Sequence, residues 1–384
     1  MNGHALLLWS DRIIAMTVKE LKQLTRDPVL LIIIVYFFTA DVYMAGSGIN
    51  INLRNASIMV IDHDHSVASR EFIYRFHPPY FNFKGELFSK NAAEKLLNAG
   101  EIVAVLDIPE NFQSLLLQGK PTSVQFQVDS SNSVLGTLAS TYATEITADF
   151  GQDLMIKRLG LNTEQMEAIP IIENRYRVLY NPNRIDSWFM SIMELFTAIT
   201  ILSMMLPAAA AVREKERGTI EQLAVSPLSS LQILLPKVIS MGLVILLGVA
   251  VSLFLVIIPI FHLPFQGSVG LFFAVTALYV FTTSGIGLFI ATISHNLGQV
   301  SMLVILLLMP ILLLSGAWTP PEAMPSGIRW AMSISPLYYF NEISYAILLK
   351  GAGVDILWDS ILGLSVLGGV FFSFGVWRFR RQFG

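Results

Sequence analysis

The sequence offers few residues able to do chemistry. Its densest cluster is Asp62-His63-Asp64-His65-Ser66, which closes an apolar run at Ser57–Ile61. Two imidazoles and two carboxylates in four positions are donors suited to zinc or another divalent metal. On extended chain His63 and His65 share a face. The same residues also suit a polar strand-end turn in which Asp64 or Ser66 caps a helix beginning near Val67. The spacing leaves both readings open, and no metal ligand is assigned beyond the alternative pair His63 and His65. Cysteine is absent, which excludes disulfides, thiolate zinc sites, iron–sulfur clusters and cysteine nucleophiles. No Gly-x-x-x-x-Gly-Lys-[Ser/Thr] loop occurs, since Gly119-Lys120 is followed by Pro121. Nor is there a His-Glu-x-x-His or a Gly-x-Ser-x-Gly motif. No catalytic residues are assigned and no enzyme is expected.

The elements that carry these residues follow from the distribution of charge. Hydrophobic side chains make up 54% of the 384 residues and charged ones 14%, against about 25% charged in an ordinary soluble domain. Residues 47–184 hold 12 basic and 15 acidic side chains, while Val238–Pro321 contains no Asp, Glu, Lys or Arg. A bilayer accounts for so long an uncharged run, and a crossing helix needs about 20 apolar residues. Polar breaks at His262–Ser268 and Ser294–Gly298 divide the run into spans near 238–261, 269–293 and 299–316. Three more apolar stretches lie at 29–46, 187–212 and 358–377, so six helical spans are predicted. The first is read as an uncleaved anchor.

Short-loop charge sets the expected orientation. Arg12, Lys19, Lys22, Arg26, Arg213, Lys215, Arg217, Lys237, Arg378, Arg380 and Arg381 fall on one side, against Arg329 and Lys350 on the other. Basic short loops remain cytoplasmic, which places both termini (1–28 and 378–384) inside and 47–184 outside. The net charge of -3 argues against nucleic acid as a partner. The outer segment reads as a folded α+β domain. Strands are expected at Ser57–Ile61, Ile102–Ile108 and Ser123–Val128. Helices are expected at Val67–Phe76, Asn91–Asn98, Pro109–Gln118 and Ser133–Leu159. Pro109 suits a first helical turn and Gly119 a helix end. Within the spans, Asp41 and Glu194 are the exceptional ionisable residues. With Glu342 they are candidates for the pathway or a subunit interface; the alternative is interfacial positioning with water access.

The loop 213–237 is the most structured of the cytoplasmic segments. Gly218 breaks the preceding helix, and Thr219 with Gln222 forms a capping-box pattern. A short helix then ends before Pro227, with Ile220, Leu223 and Ala224 on one face beside Glu221. Ser229 and Gln232 repeat the capping pattern. Docking into another protein and resting on lipid headgroups both suit such a helix. Before the first span, Ile14, Val18, Leu21 and Thr25 follow helical spacing opposite Arg12, Lys19, Lys22 and Arg26, an interfacial amphipathic helix. Residues 317–351 are too long and apolar for a plain loop. Thr319-Pro320, Ser335-Pro336 and the aromatic residues Trp330, Tyr338, Tyr339 and Tyr345 predict short helices dipping into the outer leaflet.

Glu214, Glu216, Gly218, Thr219, Glu221, Leu223, Pro227 and the distant Lys237 resemble the signature of ABC-2-type transporter permeases. The order of one span, a large outer domain and five further spans (185–377) is similar to the drug-efflux-like branch. So are Ile61–Ser66, Ile108-Pro109-Glu110-Asn111-Phe112 with Gly119, and Ser315-Gly316 followed by Pro320, Met324-Pro325 and Pro336. The resemblance implies an α-helical membrane protein with six transmembrane helices and an α+β extracytoplasmic domain between the first and second. It implies an exporter subunit of the bacterial inner membrane that binds no cofactor itself. ATP and magnesium would sit on a separate ATPase subunit, coupled through Glu214, Glu216, Gly218, Thr219, Ile220, Glu221, Leu223 and Pro227. A second permease and a periplasmic adaptor protein are further implied partners, beside the bilayer. The rival expectation is a membrane-anchored sensor or assembly factor that uses its outer domain to bind a ligand or partner. The substrate is left open.

Overall fold

Asp27 and Pro28 begin the first long apolar helix: the Asp27 carboxylate accepts from Leu30 N at 3.1 Å, and Pro28 occupies the first turn, where a missing N–H costs nothing. The computed structural model describes residues 3–48, 53–159, 179–183, 185–218, 228–319 and 321–383. The chain divides into a helical unit, Met1–Ile49 with Val178–Gly384, and a second unit, Asn50–Arg177.

In the helical unit, α1 (Gly3–Thr25) precedes α2 (Pro28–Gly48), which contains a π-helical turn at Phe37–Asp41. After the second unit come α7 (Asp186–Glu216), α8 (Ser230–Phe261), α9 (Val269–Ile293), α10 (Leu297–Leu313), α11 (Ser326–Met332), α12 (Pro336–Lys350) and α13 (Val354–Phe383). Five of these, α2, α7, α8, α9 and α13, are long and apolar enough to cross a bilayer. The stretch expected at 299–316 becomes α10, a helix of 17 residues that stops at Leu313, short of the length of the others. Past Pro310 the chain turns: Ser315 Oγ donates back to Leu312 O, and Gly316 adopts φ 76°. Within 317–351 lie a 3₁₀ turn at Pro321–Ala323 and the helices α11 and α12. Ser335 precedes α12 as expected, but its hydroxyl reaches Ile311 O rather than capping the helix.

The helices approach closely because small residues allow it. A Cβ on Gly285 would collide with the backbone of Phe371 and Phe372 in α13, and one on Gly287 with the Met204 carbonyl of α7. Hydroxyls then pin α9 to α7: Thr283 Oγ1 donates to Ser203 Oγ at 2.6 Å, and Thr200 and Tyr279 share a hydrogen bond of 2.7 Å. Backbone-to-backbone proximity with interhelical hydroxyl bonds is how apolar helices associate where solvent offers no hydrophobic drive.

The second unit is a four-stranded sheet in the order β2-β1-β3-β4. Its strands are β1 (Ala56–Asp62), β2 (Phe81–Glu86), β3 (Ala104–Ile108) and β4 (Gln125–Val128). β1 pairs in parallel with β2 and β3, and β4 is antiparallel to β3. Alternation along the strands feeds two cores. Ile58, Val60, Ala104 and Leu106 pack with Phe72 of α3 (Val67–Tyr74), Phe112 of α5 (Phe112–Gln118) and Phe150 of α6 (Ser133–Leu159). Ile61 and Val105 pack instead with Ala93 of α4 (Lys90–Asn98). Three strands were expected and four form. β2 reads Phe-Asn-Phe-Lys-Gly-Glu, an edge strand with a register shift opposite Ile58/Met59 and mostly polar exposed positions, so it carries little hydrophobic signal. Pro109 does not open α5; the helix starts at Phe112, after Asn111 in a left-handed turn, and ends as expected on Gly119 at φ 68°.

Candidate functional site

The helices on either side of residues 219–227 meet at a buried cluster of charge. Glu214 sits in the last turn of α7 and Lys237 in the second turn of α8. Lys237 Nζ lies 2.8 Å from Glu20 Oε1 and 2.9 Å from Glu214 Oε1, and all three side chains are buried. Lys19 Nζ adds a contact of 3.1 Å to Glu214 and one of 3.6 Å to Glu20. Two cations and two anions thus neutralise one another, as buried charges must. Partial burial works against the charge on Lys19, but Glu214 and Glu20 outweigh it and raise its pKa.

Each neighbour of Glu214 is committed to a different element. Arg213 Nη1 donates to Asp27 Oδ2 at 3.0 Å, tying α7 to the residue that caps α2. Lys215 Nζ donates to the carbonyls of Ala291, Thr292 and Ser294, the open end of α9, where a cation meets the negative end of the helix. Glu216 Oε1 accepts from Leu297 N at 3.0 Å, the first residue of α10. Successive helical residues point about 100° apart, so four in a row reach partners all around the axis. The end of α7 is therefore a hub joined to α1, α2, α8, α9 and α10. Gly218, at φ 67°, ends it. Ser229 and Gln232 form the expected capping box at the start of α8.

Of the residues expected in the loop, Glu214, Glu216 and Gly218 stand in this hub; Thr219, Ile220, Glu221, Leu223 and Pro227 lie outside the described residues. Glu20 and Lys19 were not singled out from sequence as parts of a site. The available signal was a lone acid amid Lys19, Lys22 and Arg26, at a helical phase with Ile13, Thr17 and Leu24. Those four are the buried face of α1, which packs against α8. The apolar face expected from the sequence is a different one, and its Ile14 and Val18 are exposed.

A family model described as ABC-2 family transporter protein matches residues 28–377. The chain belongs to the ABC-2 transporter family. The inner membrane transport permease YhhJ of Escherichia coli K12 is 34% identical over 96% of each chain. The probable multidrug ABC transporter permease YbhR of the same organism is 28% identical, over 95% of this chain and 97% of its own. YbhS, also named a probable multidrug ABC transporter permease, is 26% identical over 91% of each. The ABC-2 chain is thus a multi-pass membrane permease by family and by its apolar helices.

Elsewhere in this ABC-2 chain, Asp41 in the π-turn of α2 and Glu194 in α7 are brought into direct interaction. Glu342 faces other groups: its carboxylate accepts from Ser360 Oγ at 2.9 Å and lines a cavity of about 330 Å³ with Asn341 and Tyr345. At the strand-end cluster, Asp62 accepts from the backbone of Asp64 and His65 and from Ser69 Oγ, while Ser66 caps α3. Asp64 accepts from Gln113 N and so serves α5 rather than α3. His63 Nε2 lies 3.3 Å from Asp107, which Lys90 also contacts. His65 occupies a left-handed turn at φ 48°. Among the described residues no group of three or more His, Cys, Asp or Glu is placed to hold a metal.

Proposed function

We propose that this permease forms the substrate pathway of an ATP-driven exporter and receives its driving force from a separate ATPase subunit through residues 213–237. The observation that carries this reading is the hub at the end of α7. A push on the segment after Gly218 meets side chains already bonded to α1, α2, α8, α9 and α10, so it would move these helices as a set instead of bending one loop. Rigid connection of that kind is what converts closure at one end of a bundle into an opening at the other.

Both termini and the loop 213–237 would face the cytoplasm, with the sheet-bearing unit outside, as the bias of basic residues favours. Six crossings follow if α10 spans with the others. The functional unit would contain two permease subunits, identical or sister, and two ATPases that hold ATP and magnesium; a periplasmic adaptor would extend the route outward. Efflux of apolar small molecules is in keeping with relatives named as probable multidrug permeases. The test is to make Glu221→Arg and Leu223→Asp in the full chain. Both variants are expected to insert and assemble while export falls relative to ATP hydrolysis. Normal export in both would overturn the assignment.

A further inference from the structure

A cavity of about 730 Å³ opens where α1 meets the start of α2 and the end of α7. Lys19, Lys22, Arg26, Arg213 and Arg217 line it, against a single carboxylate, Asp27. Lys19 and Arg213 already have partners in Glu214 and Asp27. Lys22, Arg26 and Arg217 are exposed and make no ion pair among the described residues. An anion with several oxygens would pair with these three cations together.

The surroundings identify the anion. Val18 and Pro28 form an apolar part of the lining. On the same helices Ile14, Val29 and Ile32 are exposed, at 60%, 66% and 68%. Pro28 is the first residue of the apolar helix α2, so the cavity sits at the foot of a span, at the depth of the headgroups. A basic interior beside an apolar wall fits a phosphate attached to acylated glycerol. An acidic protein surface would have no use for the apolar wall. We propose that this cavity binds the phosphate of an anionic glycerophospholipid, with Lys22, Arg26, Arg213 and Arg217 as donors. The inference rests on α2 crossing the bilayer and not on coupling to an ATPase. It places a lipid one residue from Glu214, where it would hold α1, α2 and α7 together.

The test uses the full chain in nanodiscs of phosphatidylethanolamine and phosphatidylglycerol, with co-purifying lipid counted by native mass spectrometry. Lys22→Gln/Arg26→Gln/Arg217→Gln is expected to lower retained phosphatidylglycerol by about fivefold or more, from the cost of removing cations at a membrane surface. Arg378→Gln/Arg380→Gln/Arg381→Gln removes the same charge elsewhere and should leave retention unchanged. The charge-preserving Lys22→Arg/Arg26→Lys should retain the lipid, which separates loss of binding from loss of fold. Equal loss in both triple variants, or loss in neither, overturns the proposal. Displacement of the lipid by millimolar inorganic phosphate alone would make this a free-anion site. Unchanged lipid with loss of a co-purifying ATPase would make it a protein contact. Either result also overturns it.

Discussion

Lys237 Nζ lies 2.8 Å from Glu20 Oε1, joining side chains 217 residues apart, and neither is open to solvent. The bond fastens α1 to α8 beside the segment proposed to meet the ATPase. Removing the lysine would leave two buried carboxylates with only half-exposed Lys19 between them.

Lys237→Met is therefore expected to destabilise the helical unit by about 3–5 kcal/mol, the usual effect of orphaning a buried charge. Lys237→Met/Glu20→Gln should recover part of that loss. Thermal unfolding in detergent measures both; equal stability of Lys237→Met and the parent would show that the cluster contributes little.

The contact of Gly287 with Met204 involves backbone, which cannot swing aside. Gly287→Ala should force α9 away from α7 at a cost of about 1–3 kcal/mol. Gly369, also helical, has nothing within 4 Å of a Cβ, so Gly369→Ala should be neutral or stabilising by up to about 1 kcal/mol. Comparing their melting temperatures checks the packing of α9 directly.

Asp41 and Glu194 meet between α2 and α7. If they serve the pathway, Asp41→Asn and Glu194→Gln will each reduce export at unchanged membrane abundance. As neighbours they should also be non-additive in combination. Undiminished export in both single variants would assign the pair a structural role.

Asp64 ties the strand-end turn to α5. Burial opposes its charge slightly, but hydrogen bonds from Ser66 and the backbone of residues 111–113 prevail and lower its pKa below 3.8. A carboxylate depressed on folding stabilises above its unfolded pKa, and that contribution disappears as pH falls through the lower folded value. Amide exchange across Phe112–Gln118, corrected for intrinsic rates, should stay flat at neutral pH and quicken only below 3.8. Asp64→Ala should exchange faster at neutral pH, with the difference from the parent narrowing below 3.8.

Much of the helical unit is legible in the chain because its signals are local. An uncharged run must cross a bilayer or bury itself, and Ser229 with Gln232, or Asp27 with Pro28, mark helix starts through atoms three residues away. The loop at 213–237 was marked the same way, by Gly218 and the proline that follows. Tertiary structure decided what lies across space. It chose Ile13, Thr17, Glu20 and Leu24 as the inner face of α1, because Lys237 offered a partner there that no spacing along the chain reveals. It also added β2, whose polar edge position carries no periodic signal, and ended α10 at Leu313, where the chain turns past Pro310. Hydropathy and capping depend on near neighbours. The pairing of Glu20, Glu214 and Lys237 depends on three helices arriving at one point, and only the packed structure makes that so.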